Sequence, residues 1–318
     1  MKHVIVTGAT GMVGATMIEQ MLEDNIRVTG IVRPASAKMS NLTPHKNLQI
    51  VECDIDSLLS LKNVLSRDYD TFFHFAWNGT YGASREDIRL QTQNIVDTLD
   101  AIELAHALGC KAFVGAGSQA EFGSVEGMIS DKIAKNPVTG YGIAKLDACR
   151  MGKILCEQYG IRHSWGRIVS TYGPRDNSYT MVMSSIINML DGKRMQFTKG
   201  EQTWDYLYGG DCSRAFYLIG KYGKHGKAYT IGSGKTRQLK EYMEAIRDTI
   251  NPALEIGIGE LDYYPNQVMH LCADITELKR DTGFEPQVSF EEGIQRTMEW
   301  YRGRNNGKEI NFNHDTVL

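Results

Sequence analysis

Residues 7–14 read Thr7-Gly8-Ala9-Thr10-Gly11-Met12-Val13-Gly14. They join a β-branched apolar run, Val4–Thr7, to a segment, Met12–Glu23, in which Met17, Ile18, Met21 and Leu22 recur at helical spacing. A strand feeding a glycine-rich turn that opens a helix is a ready phosphate site. Gly8 permits the tight turn, Gly11 lets the backbone approach a pyrophosphate, and Gly14 lets the helix pack closely on the strand. The unpaired N–H groups of the first helical turn, with the positive end of its dipole, face the anion. The G-x-x-G-x-x-G spacing at the start of a βαβ unit predicts dinucleotide binding, with Thr10, Met12 and Val13 beside the glycines.

Outward from that turn, strand-like runs at Val28–Val32, Leu48–Val51, Thr71–Ala76, Ala112–Gly115 and Ser164–Val169 alternate with helical patterns near Leu58–Ser66, Asp87–Leu108 and Val138–Tyr159. Short apolar strands separated by helices predict an α/β fold, a doubly wound parallel (Rossmann) sheet covered on both faces. Beyond Pro174 the rhythm loosens. Helices are expected at Tyr179–Leu190, Asp211–Tyr222, Gln238–Ile250 and Phe290–Arg302, with a strand at Ala228–Ile231. The expected organisation is a dinucleotide-binding domain over 1–170, rejoined by 204–232. A smaller C-terminal α/β substrate lobe covers 171–203 and 233–302, and 303–318 form a polar tail.

Which dinucleotide binds depends on the end of the second strand, where NAD binders place a carboxylate on the ribose 2′-OH. Gly30-Ile31-Val32-Arg33-Pro34 offers none, and Arg33 suits a 2′-phosphate, so NADP(H) is favoured and NAD is the alternative. Arg33 equally suits a solvated loop. Asp54-Ile55, after the third strand, is expected at the adenine edge, although Asp54 also suits a helix cap.

Two further signals concern chemistry. Tyr141 and Lys145 stand four apart, on one helical face, and a neighbouring ammonium lowers a phenol's pKa by stabilising the phenolate. Such a tyrosine passes a proton to or from a reacting oxygen. Ser118, in Gly117-Ser118-Gln119-Ala120-Glu121-Phe122-Gly123, falls just past the fifth strand, at the ligand-binding edge of an open sheet. It suits a hydrogen bond to the reacting oxygen or a cap on its own turn.

Glycine loop, strand-end serine and Tyr/Lys helix, in that order, resemble the extended short-chain dehydrogenase/reductase family of NAD(P)-dependent nucleotide-sugar epimerases, dehydratases and reductases. The likeness runs to about Arg302. It includes His74-Phe75-Ala76, Asn94, Arg167, Tyr172-Gly173-Pro174, Asp205-Tyr206-Leu207-Tyr208 with Asp211, and Asp274 to Pro286. The resemblance implies a nicotinamide cofactor and a nucleotide sugar between the lobes, with Tyr141 as acid/base and Ser118 polarising the sugar oxygen. Lys145 would hold the nicotinamide ribose and tune Tyr141, and Asn94 would brace the helix that carries both. Phe75, Ala76, Trp77 and Ile168 join the cofactor contacts. Trp77, Ser118, Gln119, Ala120, Ser170, Thr171, Arg175 and Trp204 would face the substrate. A homodimer through 87–108 and 138–159 is the family expectation.

Departures narrow the chemistry. Similar 4,6-dehydratases carry Asp-Glu after the active Ser or Thr, where Gln119 and Ala120 cannot exchange protons. Ala120 also lacks the cysteine or glutamate of relatives that epimerise beside the ketone or decarboxylate. Trp204 replaces a diphosphate-gripping arginine, a second is missing near Tyr264–Gln267, and Ser170 replaces a common asparagine. Arg175, Lys193, Arg194, Lys199 and Arg237 are candidate substitutes. The expected reaction is reduction of a 4-keto-sugar nucleotide by NADPH, toward which Arg33 and the bulk of Trp77 lean. A 4-epimerase with retained NAD is the alternative, and a non-catalytic NAD(P) sensor the second.

Composition sets the outer limits. The 318 residues hold 35 Lys+Arg against 38 Asp+Glu, net −3, which gives no reason to expect nucleic acid or an anionic membrane as partner. No apolar run approaches the about 18–20 residues of a membrane span. Six scattered cysteines without a C-x-x-C pair predict reduced thiols in the cytoplasm and no metal site.

Overall fold

The computed structural model describes residues 1–264 and 267–305. Seven parallel strands, β1 (His3–Thr7), β2 (Arg27–Val32), β3 (Leu48–Glu52), β4 (Thr71–His74), β5 (Ala112–Ser118), β6 (Arg162–Ile168) and β7 (Lys227–Ile231), lie in the order β7-β6-β5-β4-β1-β2-β3. Every neighbouring pair is parallel. The central strands are buried on both faces because helices cover both: α1 (Met12–Glu23) on one, α2 (Ile88–Ala107) and α3 (Gly140–Gln158) on the other. After α4 (Met181–Leu190), helix α5 (Gly209–Tyr222) returns to pack on α1, and β7 closes the sheet edge beside β6.

The strand order reverses between β1 and β4. Loops leaving the C-terminal ends of these two strands part there, and the crevice left between them is where this architecture places ligands. The glycine turn enters it from β1. A Cβ on Gly14 would lie 2.4 Å from the Gly8 carbonyl oxygen, so only glycine lets α1 start this close to its own strand.

A second lobe packs α4 against the helices Leu239–Ile250 and Phe290–Asn305 around Tyr172, Ile186, Met243 and Ile294. Its four-stranded sheet combines Arg237–Gln238, Thr203–Trp204, His270–Ala273 and Met128–Ile129. Trp204 therefore belongs to this lobe, and the return to the main sheet begins after it. Of Leu58–Ser66, expected to be α-helical, 58–63 instead belong to a 3₁₀ helix, Ile55–Asn63, and 64–66 lie beyond its end. There the Ser60 hydroxyl donates to the Ser57 carbonyl at 2.7 Å and Ser57 to Asp56 at 2.9 Å, local bonds that compete with α-helix formation. The helix before the polar tail runs to Asn305. Residues 306–318 of the tail, and Pro265 and Asn266 of the 264–267 stretch, lie outside the described residues.

Candidate active site

A cavity of 390 Å³ fills the crevice. One wall is the turn, with Thr7, Gly8, Thr10 and Gly11; the opposite wall is the segment Phe75–Thr80 that leaves β4. Its far end is closed by Val32, Arg33, Lys38, Cys53 and Ile55. The glycine backbone, the start of α1 and this elongated hollow between strand ends fit a dinucleotide, with the pyrophosphate on the turn. Met12 and Val13 form the first turn of α1; Asn41 Nδ2 donates to the Thr10 carbonyl at 2.8 Å and fixes the loop.

Asp54 does not take the expected place at the adenine edge. It is exposed, stands at the head of the 3₁₀ helix without a side-chain capping bond, and leaves the cavity wall to its neighbours Cys53 and Ile55. Arg33 does line the cavity, with Lys38 beside it.

Ser118, Tyr141 and Lys145 gather where β5, β6 and α3 converge, outside the lining of this cavity but against its Trp77 wall, which Lys145 and Tyr141 both touch. Ser118 is the last residue of β5, in register with Ile168 at the end of β6. Its hydroxyl accepts from the Ala120 N–H at 3.2 Å and also faces the Tyr141 phenol, so the capping role and the site role coexist. Gln119 and Ala120 form the short 3₁₀ turn that follows. Thr139 caps α3 through the Gly142 N–H at 3.0 Å. A Cβ on Gly142 would stand 2.4 Å from the Ala120 carbonyl oxygen. That close approach sets Tyr141 beside Ser118.

Burial pushes the Tyr141 phenol above its ordinary pKa, partly offset by Ser118 and by Arg85, whose guanidinium carbon lies 4.5 Å from the ring centroid. Two cations thus stand over the Tyr141 ring, and Arg85, which the sequence did not suggest, is nearer than the expected Lys145. Lys145 Nζ donates to the Ala116 carbonyl at 2.7 Å and sits 3.6 Å above the Trp77 ring, against 5.8 Å from the Tyr141 ring. Desolvation pulls its ammonium down to about 7, with Glu121 opposing.

Asn94 does not brace α3. Its amide clasps the backbone N–H and carbonyl of Asn78, both at 2.8 Å, and so holds the cavity wall. Gln91, one turn earlier, accepts from Trp77 Nε1 at 2.9 Å and donates to the carbonyls of Gly79 and Ser84. Sequence reading passed over Gln91, although two amides three apart on the buried face of α2 were the available signal. It also passed over Glu121, wholly buried, which accepts from the Ser118 N–H at 2.9 Å, from Trp165 Nε1 at 2.9 Å and from Arg167 Nε.

Of the expected substrate contacts, Trp204 and Ser170 come together, indole N–H to hydroxyl at 3.2 Å, with Thr171 next in the chain. Arg175 is not free to face a substrate: its guanidinium is tied to Glu19 and Thr16 on α1. Lys193, Arg194 and Arg237 are likewise paired, with Asp191, Glu260 and Glu291.

Above the cavity, the Tyr81 and Tyr179 rings meet with centroids 3.9 Å apart, tilted by 31°, and Lys38 Nζ donates to Asn177 Oδ1 at 3.1 Å. Both contacts cross the cleft, joining the dinucleotide-side loops to the strap that precedes α4. Among the described residues no cluster fit to hold a metal occurs, and no helix is long and apolar enough to cross a membrane.

A parallel sheet of this order, with a glycine turn at its switch point and a Ser/Tyr/Lys group at the adjoining strand ends, defines a dinucleotide-dependent oxidoreductase of the short-chain dehydrogenase type. The chain belongs to the NAD dependent epimerase/dehydratase family, whose model matches residues 4–232. It is 26% identical to the UDP-glucose 4-epimerase of Mycolicibacterium smegmatis, over 94% of this chain and 98% of that one. Among solved structures it resembles the UDP-glucose 4-epimerase of Thermotoga maritima with UDP-glucose, at TM-score 0.86 and 25% identity, covering 95% and 99% of the two chains. The UDP-N-acetylglucosamine 4-epimerase of Methanobrevibacter ruminantium, in complex with UDP-N-acetylmuramic acid, gives TM-score 0.86 and 26% identity with the same coverage.

Proposed function

We propose that this chain is a nucleotide-sugar 4-epimerase working on one retained NAD(H). The observation that carries this reading is a reactive group built for a single carbon: Ser118 and Tyr141 face one position, and Gln119 and Ala120 beside them offer no second acid or base. Dehydration needs a further proton transfer for which these two positions supply no group; relatives of both kinds, 4-epimerases and 4,6-dehydratases, match at about a quarter identity, so it is these residues that favour the 4-epimerase. A cleft bridged by Tyr81–Tyr179 and Lys38–Asn177 suits a cofactor kept through many turnovers.

The bound nicotinamide would supply reversible hydride transfer at C4 of the sugar. Tyr141 would take the C4 hydroxyl proton and later return it, while the Ser118 hydroxyl steadies the same oxygen. Lys145, held between the Ala116 carbonyl and the Trp77 ring, would meet the nicotinamide ribose. Gly8, Thr10 and Gly11 would hold the pyrophosphate.

A second reading, NADPH-dependent reduction of a 4-keto-sugar nucleotide, is favoured by Arg33 and Lys38 at the far end of a cavity that no carboxylate lines. The indole of Trp77, fixed by Gln91, also narrows the room for a turning hexose. The two readings separate on one preparation. The purified protein is denatured and the released dinucleotide identified, and native protein is given UDP-glucose without added cofactor. About one NAD per chain together with UDP-galactose formation is expected. Protein free of dinucleotide that consumes NADPH with a UDP-4-keto-sugar transfers the conclusion to the reductase.

We also propose a homodimer, in the cytoplasm, in keeping with six free thiols. Val96 on α2 and Ile143, Met151 and Ile154 on α3 are exposed apolar residues on the outer face of this helix pair. Sedimentation at twice the 35.6 kDa chain mass is expected, with Ile154→Glu returning monomers.

A further inference from the structure

We propose that Arg85 binds a carboxylate carried by the sugar itself, on the substituent at C3 or C5 that flanks the reacting C4. The site would thereby be suited to acidic nucleotide sugars. The proposal rests on the nucleotide-sugar reading above and narrows it.

Arg85 ends the short 3₁₀ turn Gly82–Arg85 and is half-buried, with its guanidinium laid on the Tyr141 ring at 4.5 Å. Among the described residues, each other arginine that is not fully exposed donates to an oxygen. Arg162 binds carbonyls, Arg167 Glu121 and Asp131, and Arg175 Glu19. Arg214 pairs with Asp211, Arg237 with Glu291 and Arg247 with Asp248. Arg85 has no such acceptor. Its neighbour Glu86 is engaged elsewhere, accepting from the Gly140 N–H at 3.2 Å at the start of α3. A partly desolvated guanidinium with all its donors free is poised for an oxyanion, and the fork geometry of arginine matches a carboxylate.

The position decides which oxyanion. Tyr141 would meet the oxygen on C4, so a cation 4.5 Å from its ring centroid would stand nearer the substituents on C3 and C5 than the one on C1. The diphosphate hangs from C1, across the pyranose ring from C4. Arg85 thus complements the sugar rather than replacing the arginine whose place Trp204 takes.

The test compares two pairs of substrates, UDP-glucuronate with UDP-glucose and UDP-N-acetylmuramate with UDP-N-acetylglucosamine, in the wild-type protein, Arg85→Gln and Arg85→Lys. In the wild type, kcat/KM is expected to favour the acidic member of at least one pair, and that pair tells whether the carboxylate lies at C5 or on the C3 substituent. In Arg85→Gln the acid-to-neutral ratio should fall about 10–100-fold, the loss expected for a charge-assisted hydrogen bond. Arg85→Lys should restore part of it. A loss of equal size for acidic and neutral sugars would overturn the proposal, since altered acidity of Tyr141 acts on every sugar alike. So would wild-type protein that converts neutral sugars and neither acid. Failure to convert any of the four would instead bring down the 4-epimerase reading and this proposal with it. Matching thermal midpoints of the three proteins certify that the comparison is between folded enzymes.

Discussion

Replacing Tyr141 by phenylalanine is expected to cut turnover at least about 100-fold, the scale of a lost general acid or base, while cofactor binding stays close to wild type. The phenol sits wholly inside the convergence of β5, β6 and α3, and the oxygen is the only polar atom the substitution removes. The ring's stack with Arg85 and its edge contact with Trp77 survive. Lys145 keeps its carbonyl partner at Ala116 and its place over the Trp77 ring, which does line the cavity. Single-turnover kinetics and dinucleotide titration separate the two effects. A variant with near-normal turnover would remove Tyr141 from the chemistry and favour a sensor. The proton traffic is demanding in either direction. Burial raises the pKa of the phenol, and neighbouring positive charge works against that rise. Arg85 is already there, and Lys145, pulled to about 7 by its own desolvation, is close enough to become charged as a phenolate forms.

The elements that place this tyrosine were legible because each is fixed by local sequence. The apolar run into Gly8, the helical period after Gly11 and the Tyr141/Lys145 spacing are short-range patterns, and the folded chain sets them where backbone geometry requires. The switch point between β1 and β4 follows from the parallel order alone. What sequence could not give was pairing between distant residues. Arg175 looked like spare charge until α1 brought Glu19 against it. Asn94 stood in a helix facing α3, yet its amide is captured by the Asn78 backbone of an intervening loop. Arg85, in a turn of no regular pattern, reaches the Tyr141 ring from a segment that Gln91 and Asn94 hold by its backbone carbonyls. These outcomes depend on which long side chain first finds a partner. Periodicity carries no information about that.

Glu121 is the case with the largest energetic consequence. Its carboxylate is fully enclosed and serves three donors at once: the Ser118 N–H, Trp165 Nε1 and the Arg167 guanidinium. Arg167 in turn reaches Asp131, which is partly exposed and pairs with Lys135 at 3.0 Å. Removing one member of a buried pair leaves the other as an uncompensated charge, at a cost of about 3–5 kcal/mol. Glu121→Ala is therefore expected to lower Tm by roughly 10 °C, and thermal unfolding followed by circular dichroism reads it directly. Glu121→Gln, which keeps an acceptor for the serine N–H and the indole, should lose less stability. Activity should fall with both variants, because the same carboxylate holds the end of β5 at which Ser118 meets Tyr141. The order of the losses is the informative part. If the carboxylate were only filling space, glutamine, its near-isostere, would leave both Tm and turnover unchanged. A drop in turnover for Glu121→Gln at conserved Tm would instead mean that the charge acts on the reacting pair through Lys145, whose ammonium it helps to keep protonated.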